Sequence, residues 1–342
     1  MNESSQGRLV VIIVNYGTSA LVLDALPALL SELSGFAESQ IFIVDNASPG
    51  NDADALAEGL RAFPEAQGET ARLRLLRSPV NGGFAAGNNV AFAELPGLGW
   101  RPDAVLLLNP DAEVLPGALA EMMRVMNGND KIGFVGPRIE NPDGSSWVAA
   151  FNFPSMGGEV FGALGIDFFA RHFRSTIPDS TAPVRADWVT GTALLIRTDT
   201  LEALGNMDDG YFLYYEEVDY MRSGAALGWQ SWHAPDARVR HIAGAATGIV
   251  GKNVARGRMP AYWFQAWARY FSKNHGAFYT RVTALLKIAA HWIGDLQRRL
   301  RGRATSRPEH YLGDLASATL LARLSPPPAA ETATTPDPRA KR

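Results

Sequence analysis

Hydrophobic positions in the first 140 residues fall into short unbroken runs, separated by segments whose apolar residues recur at helical spacing. The runs are LVVIIV at 9–14, IFIV at 41–44, LRLL at 73–76, AVLLL at 104–108 and IGFV at 132–135. Runs of this length and continuity predict strands covered on both faces. Between them, 21–33, 54–62, 84–95 and 115–126 read as helices. The alternation predicts an α/β fold, with a mostly parallel central sheet and helices on both faces. The stretch 141–186 is rich in Phe, Gly and Pro, has weak periodicity, and predicts an excursion over one face of the sheet. Regular signals return with a strand at 192–196, a helix over 216–227 and two short strands at 230–233 and 237–241.

From 261 to 300 the pattern predicts two helices broken near Gly276. At about 100° per residue, Arg281, Lys287, His291, Asp295, Arg298 and Arg299 share roughly a third of the circumference. Phe278, Val282, Leu285, Ala289, Trp292, Ile293 and Leu296 lie outside that arc, and Ile288 sits near its edge. Such a helix either lies in a membrane interface, or packs its apolar face on the rest of the chain or on a second subunit. The segment 325–342, rich in Pro, Thr and Ala, predicts a disordered tail.

Composition narrows the class. The chain has 342 residues, a formal net charge of -3 and a pI near 6.1. Nucleic-acid binding proteins usually carry a basic excess, so no nucleic-acid partner is expected. With Cys 0, a disulfide framework and a thiolate metal site are both excluded. The first seven residues are polar and lack the apolar core of a signal peptide, and no apolar stretch approaches the ~20 residues needed to span a bilayer. The expectation is a cytoplasmic chain, soluble or lying on the inner face of a membrane.

In an open parallel sheet, ligands bind beyond the carboxyl ends of the strands. Those ends carry Asn15-Tyr16-Gly17-Thr18, then Asp45-Asn46-Ala47-Ser48, then the glycine-rich 81–89 (NGGFAAGNN), then Asn109-Pro110-Asp111. Each suits a nucleotide diphosphate. A carboxylate at Asp45 can accept the ring N–H of uracil or thymine, and Gly82, Gly83 and Gly87 permit close backbone approach. Asp111 is a hard oxygen ligand for Mg²⁺ or Mn²⁺. The plainer reading makes these turn residues that follow strands. Neither a dinucleotide G-x-G-x-x-G nor a Walker loop follows the first strand. Downstream, 211–219 (YFLYYEEVD) sets Glu216, Glu217 and Asp219 among aromatics, which should raise at least one carboxyl pKa and suits a general base. An acidic first helical turn is the plainer alternative. His241, ending a strand, can complete a metal's ligand set or serve structure alone.

The chain resembles the family-2 glycosyltransferases of GT-A fold, particularly the bacterial rhamnosyltransferase-like branch. The match rests on VIIVNYGT, IFIVDNAS, NGGFAAGNN with LLLNPDAEVLPGAL, and DWVTGTALLIR with FLYYEEVDY, and spans roughly residues 8–275. The resemblance implies a catalytic domain over 1–250, its donor half at about 8–140 and its acceptor half at about 141–250. Amphipathic helices over 251–310 would follow. It implies that Asn15, Tyr16 and Asp45 contact base and ribose, and that Asn81 and Gly83 belong to the donor loop. Asn109 and Asp111 would form the metal motif, with His241 as a further ligand. Trp188 and Gly191 would floor the sugar and acceptor pocket, and Glu217 would be the catalytic base, flanked by Glu216 and Asp219. Three departures stand out: Asn109 replaces an acid, Glu217 is one methylene longer than the usual aspartate, and Ser223 stands where an arginine is common.

The implied activity is metal-dependent, inverting transfer of a sugar from a dTDP- or UDP-linked donor, with dTDP-rhamnose as the best guess. The acceptor would be a saccharide or polyprenyl-diphosphate-linked saccharide in cell-envelope polysaccharide synthesis. Residues 277–307 would supply any membrane contact, and Lys252, Arg256 and Arg258 are candidate holders of the acceptor diphosphate. A homodimer through the C-terminal helices stays open. The alternative is a non-catalytic nucleotide-sugar-binding or scaffold protein on the same fold.

Overall fold

The computed structural model describes residues 7–68, 71–164, 175–178, 180–241, 257–302 and 307–324. The apolar runs become a central sheet. β1 (Arg8–Asn15), β2 (Glu38–Asp45), β3 (Leu73–Arg77) and β4 (Ala104–Leu108) are all parallel, in the order β3-β2-β1-β4. Leu9, Val10, Val11 and Ile12 of β1 are fully buried, as unbroken apolar runs require. Burying each such side chain stabilises the fold by about 1.5–3 kcal/mol, which is why β1 takes a position deep within the sheet.

Connecting helices cover both faces. α1 (Ser19–Leu33), α2 (Asp52–Leu60) and α4 (Ala118–Asn127) bury Leu26, Leu56 and Met122 on one side. α3 (Gly83–Phe92), α6 (Thr198–Leu204) and α7 (Glu216–Ala226) bury Ala85, Leu201 and Met221 on the other. α5 (Met156–Leu164) lies in the excursion between the two halves.

Beyond β4 the sheet becomes mixed rather than parallel. β11 (Ala193–Arg197) runs antiparallel to both β4 and β6 (Ile132–Glu140), and β12 (Gln230–His241) runs parallel to β6. The reason is topological: the long excursion between β6 and β11 replaces a strand–helix–strand crossover, and only such crossovers enforce parallel pairing. That excursion carries four short strands, β7 (Ser146–Trp147), β8 (Ala150–Phe151), β9 (Val184–Ala186) and β10 (Trp188–Val189); β7 pairs antiparallel with β6, and β8 and β10 form a small antiparallel pair. The two expected strands at 230–241 are one strand, with an irregularity between Ala234 and Arg238. A short β5 (Ala112–Val114), hidden in the sequence by its length, pairs antiparallel with the end of β12.

The C-terminal region is α8 (Ala261–Leu300), followed by α9 (Tyr311–Ala316). α8 consists of two helices joined at Gly276, whose φ of 83° and ψ of 161° break the helix where the sequence suggested. Its first half buries Phe264, Trp267, Tyr270 and Phe271 in a third core with Tyr211 and Leu315. No helix among the described residues is long and apolar enough to cross a membrane. The expected tail at 325–342 and the candidate cations Lys252 and Arg256 lie outside the described residues.

The Gly276 conformation belongs to a backbone region that only glycine occupies without strain. Gly276→Ala is therefore expected to lower the unfolding free energy by about 1–3 kcal/mol. Urea titration checks this; unchanged stability would mean that the break is not held in the folded protein.

Candidate active site

Four stretches meet at the carboxyl edge of the sheet, and the strand register brings the first two together. Asn15 pairs with Asp45 across the parallel β1–β2 ladder, so both end their strands at one level. The Asn15 side-chain amide donates to Asp45 Oδ1 at 3.1 Å, Ser48 Oγ at 3.1 Å and Asp52 Oδ2 at 2.8 Å. Its Oδ1 accepts from the Thr18 hydroxyl at 2.8 Å. Asn15 is fully buried and its amide is committed to these partners, so it fixes Asp45 rather than facing a ligand. Tyr16 is exposed beside it. Asp52 was not singled out in the sequence, because an acid at the start of a helix is ordinary. Burial opposes its charge, but hydrogen bonds from Asn15 and Ser19 outweigh that and hold its carboxyl below the usual range.

The glycine-rich loop is clamped from two sides. Asn81 Oδ1 accepts from the Asn46 side-chain amide at 3.0 Å and from the Gly83 N–H at 3.1 Å. Gly83 has φ +86°, and a Cβ there would lie 1.8 Å from the Phe212 carbonyl oxygen. That same carbonyl accepts from the Phe84 N–H at 3.0 Å. Asn89 exchanges two hydrogen bonds of 2.9 Å with the backbone of Met207. The donor loop and the approach to the acidic helix are thus one packed unit.

The third stretch is the turn after β4. Antiparallel pairing sets His241 opposite Ala112, next to Asp111, and His241 Nε2 lies 3.0 Å from Asp111 Oδ1. Both are nearly buried, at 8% and 6% exposure. Metal–ligand bonds of about 2.1 Å in an octahedron set neighbouring donors about 3 Å apart, so this pair fits two adjacent corners of a Mg²⁺ or Mn²⁺ shell. No cluster of three or more His, Cys, Asp or Glu suited to a metal occurs among the described residues. Water and diphosphate oxygens would have to supply the remaining positions, as hard divalent cations commonly require. Trp147, which the sequence reading did not single out, meets the His241 ring edge-on at 5.7 Å and walls this corner.

The acidic stretch opens α7 through strained backbone. Tyr214 and Tyr215 have φ of 72° and 69°, a left-handed pair without glycine. Such strain costs about 1–3 kcal/mol per residue and concentrates at functional sites. Glu216 is buried with one carboxylate oxygen unpartnered, and burial with the charge of Glu217 beside it pushes its pKa well up. Burial also raises Glu217, though backbone N–H groups, that of Gly191 among them, partly oppose it. A Cβ on Gly191 would stand 3.4 Å from Glu217 Cγ and 3.5 Å from its Oε1, in ordinary van der Waals contact, which places Gly191 directly against this carboxylate. One residue further on, the Thr192 carbonyl accepts from the Asn109 N–H at 2.9 Å, tying the metal turn to the Glu217 neighbourhood.

Asp219 is differently employed. Its carboxylate accepts from Lys273 Nζ at 2.5 Å and from the Asn274 amide at 3.0 Å, both on α8. Lys273 also reaches Asp208 at 2.7 Å. Burial disfavours the Lys273 charge, but the two aspartates outweigh it and hold its pKa above the usual value. Asp219 therefore anchors α7 to α8 through Lys273 and Asn274. The aromatic floor is Trp188, stacked on Phe151 at 4.2 Å. It lines a cleft of about 680 Å³ with Asp187, Tyr215, Glu159, Lys287 and His291. Arg258 does not serve this site, since it forms a two-pronged pair with Asp314.

A family model described as glycosyltransferase like family 2 matches residues 7–259. The chain belongs to that family. Over 221 residues this glycosyltransferase is 31% identical to an N-acetylglucosaminyl-diphospho-decaprenol L-rhamnosyltransferase of Mycobacterium tuberculosis, covering 61% of this chain and 68% of the relative. Its fold is GT-A. A mannosyltransferase of Pyrobaculum calidifontis, solved with GDP-Man and Mn²⁺, superposes with a TM-score of 0.54 at 15% identity, over 94% of this chain and 82% of that one. GalNAc-T7, solved with UDP, GalNAc and Mn²⁺, gives 0.56 at 14% identity, over 94% and 59%.

The buried acids of this glycosyltransferase make its stability depend on pH. Burial and the neighbouring Glu217 hold the Glu216 pKa in the fold well above the ordinary value of 4.5 that the unfolded chain keeps. Stability therefore falls as pH climbs from there towards the raised folded pKa. Glu216→Gln is expected to be more stable than the native chain at pH 7, with the gap closing below pH 4.5 in a series of denaturant titrations. A gap independent of pH would show Glu216 charged in the fold. Lys273→Met should cost about 3–5 kcal/mol, by leaving the Asp219 carboxylate buried without its cation; a loss under about 1 kcal/mol would show the clamp to be solvated.

Proposed function

We propose that this glycosyltransferase moves a sugar, with rhamnose as the best match, from a dTDP- or UDP-linked donor to a saccharide or polyprenyl-diphosphate-linked saccharide, with inversion at the anomeric carbon. The setting is cell-envelope polysaccharide synthesis in the cytoplasm, in peripheral contact with the inner face of the cell membrane. The observation that carries this reading is the short route from the donor edge to the half-buried Glu217 carboxylate. Asn109 bonds Thr192, and the backbone N–H of Gly191 beside it bonds the Glu217 carboxylate. The rhamnosyl donor and the lipid-linked acceptor are supported by the activity named for the Mycobacterium tuberculosis relative.

In the reaction, Asp45 receives the ring N–H of thymine or uracil, held in position by Asn15, while Tyr16 flanks the ribose. Gly83 lets the backbone approach the donor, and Asn81 holds that loop shut. Asp111 and His241 would hold a divalent cation, which would supply charge neutralisation to the leaving diphosphate. Glu217, made more basic by burial, takes the acceptor hydroxyl proton. The acceptor oxygen forms its bond to the anomeric carbon as the bond to the diphosphate oxygen breaks on the opposite face. Trp188 offers the acceptor sugar an apolar face. Glu216, uncharged beside Glu217, spares that base a second negative charge.

Calorimetric titration with dTDP-rhamnose and UDP-sugars, in Mn²⁺ and in chelator, tests the donor and the metal. One donor should bind, and chelator should weaken it. Glu217→Gln should keep that affinity while turnover falls about 10²–10⁴-fold, as expected for losing a general base. Full turnover in that variant would remove Glu217 from its role, and equal binding in chelator would remove the metal. Retained anomeric configuration in the product, read by NMR, would rule out the single displacement.

A further inference from the structure

The second half of α8 is mounted inside out. Its polar residues face the protein: Lys287 and Asp295 are 7% and 6% exposed. Lys287 pairs with Glu159 of α5 and sits 5.6, 5.5 and 5.7 Å from the rings of Trp263, Trp267 and Tyr311. Asp295 pairs with Arg307. α5 approaches so closely that a Cβ on Gly294 would lie 2.9 Å from the Ala163 carbonyl oxygen. This fixes the rotation of the helix, and its apolar residues are left outside. Phe278 is 83% exposed, Leu285 53%, Trp292 66%, Ile293 50%, Leu296 59% and Leu300 80%.

At about 100° per residue these side chains form one continuous stripe, and a rise of 1.5 Å per residue makes it about 33 Å long. Arg281 and Arg299 flank it on one side and are exposed. The only acid between 277 and 300 is Asp295, turned away into its pair with Arg307. The face is thus apolar at its centre, cationic at its rim and free of carboxylates.

We propose that this stripe is a docking surface for an anionic lipid bilayer, with the helix lying in the interface plane. Apolar side chains enter the acyl boundary while the arginines meet lipid phosphates. Trp292 brings an amphipathic ring of the kind favoured at that depth. A second copy of the chain fits less well. A two-fold contact sets the face against itself, and no carboxylate would be available to neutralise the four arginines brought together. The inward face of the same helix contributes Lys287 and His291 to the cleft that holds Trp188. The helix is therefore the wall shared by the docking surface and that cleft, which suits an acceptor whose lipid remains in the bilayer. That last link rests on the lipid-linked acceptor proposed above; the docking itself does not.

The full chain is sedimented with phosphatidylglycerol vesicles and with phosphatidylcholine vesicles. Its mass is measured by light scattering, and dTDP-rhamnose binding is titrated in parallel. Preferential sedimentation with phosphatidylglycerol is expected. The triple variant Leu285→Ser, Trp292→Ser, Leu296→Ser, altered only at exposed positions, should bind these vesicles at least tenfold more weakly with an unchanged circular dichroism melt. Equal sedimentation of variant and native chain, or none by either, overturns the proposal. A native dimer that the triple substitution turns into a monomer, without vesicle binding, assigns the face to a second copy and overturns it too. Vesicle binding without donor binding would sink the proposed function and leave the docking surface standing.

Discussion

Two adjacent carboxylates taken out of water at the start of α7 are the constraint on which the rest of the site depends. Each would be charged in solvent, and burying both charged is costly, so burial and the charge of Glu217 push the Glu216 pKa well up. The backbone that delivers them is strained at Tyr214 and Tyr215. Nothing local stabilises that geometry; it persists because the surroundings determine it. The Asp219–Lys273–Asp208 clamp ties α7 and the preceding loop to α8. The Phe212 carbonyl, bonded to Phe84, and the reciprocal Asn89–Met207 pair tie the same loop to the glycine-rich turn. Donor loop, acidic helix and C-terminal helix therefore stand or fall together. This is how Lys273, on α8, comes to fix the position of the acidic helix.

The other edge of the site is assembled by strand register rather than by side-chain networks. Parallel pairing levels Asn15 with Asp45, and antiparallel pairing brings His241 next to Asp111. A one-residue slip in either ladder would turn these side chains to the opposite face of the sheet. The buried apolar runs prevent such a slip, so the hydrophobic core and the polar edge are one specification.

The sequence carried the first half of the fold clearly, because its strands are buried on both faces and its helices are regular. It also carried the break at Gly276. The mixed half of the sheet was not legible, since β5 is three residues long and β11 follows an aperiodic excursion. Among the candidate site residues, Asp45, Asp111 and Glu217 stood out by their positions at strand and helix ends. The partners that give them meaning come from far along the chain: His241 meets Asp111 across 130 residues, and Lys273 reaches Asp219 across 54. No periodicity encodes such distances. Asn15 was legible as a site residue, but its burial is not visible from its neighbours, and that burial turns it from a ligand contact into the residue that orients Asp45.

The C-terminal helix separates what pattern can tell from what only packing can. Its amphipathicity was evident, and two of the three readings of it assumed that the apolar face seeks protein. Whether that face turns in or out depends on what competes for the inner side. Here the inner side belongs to Lys287, held by Glu159 and by an aromatic cage of Trp263, Trp267 and Tyr311. An ammonium among three rings gains more as water is withdrawn from it, and Lys287 is only 7% exposed. Exposure of the apolar stripe is thus the consequence of a well-satisfied polar interior. Phe278, Trp292 and Leu300 are left exposed on one contiguous apolar face, of the kind that marks an interaction site.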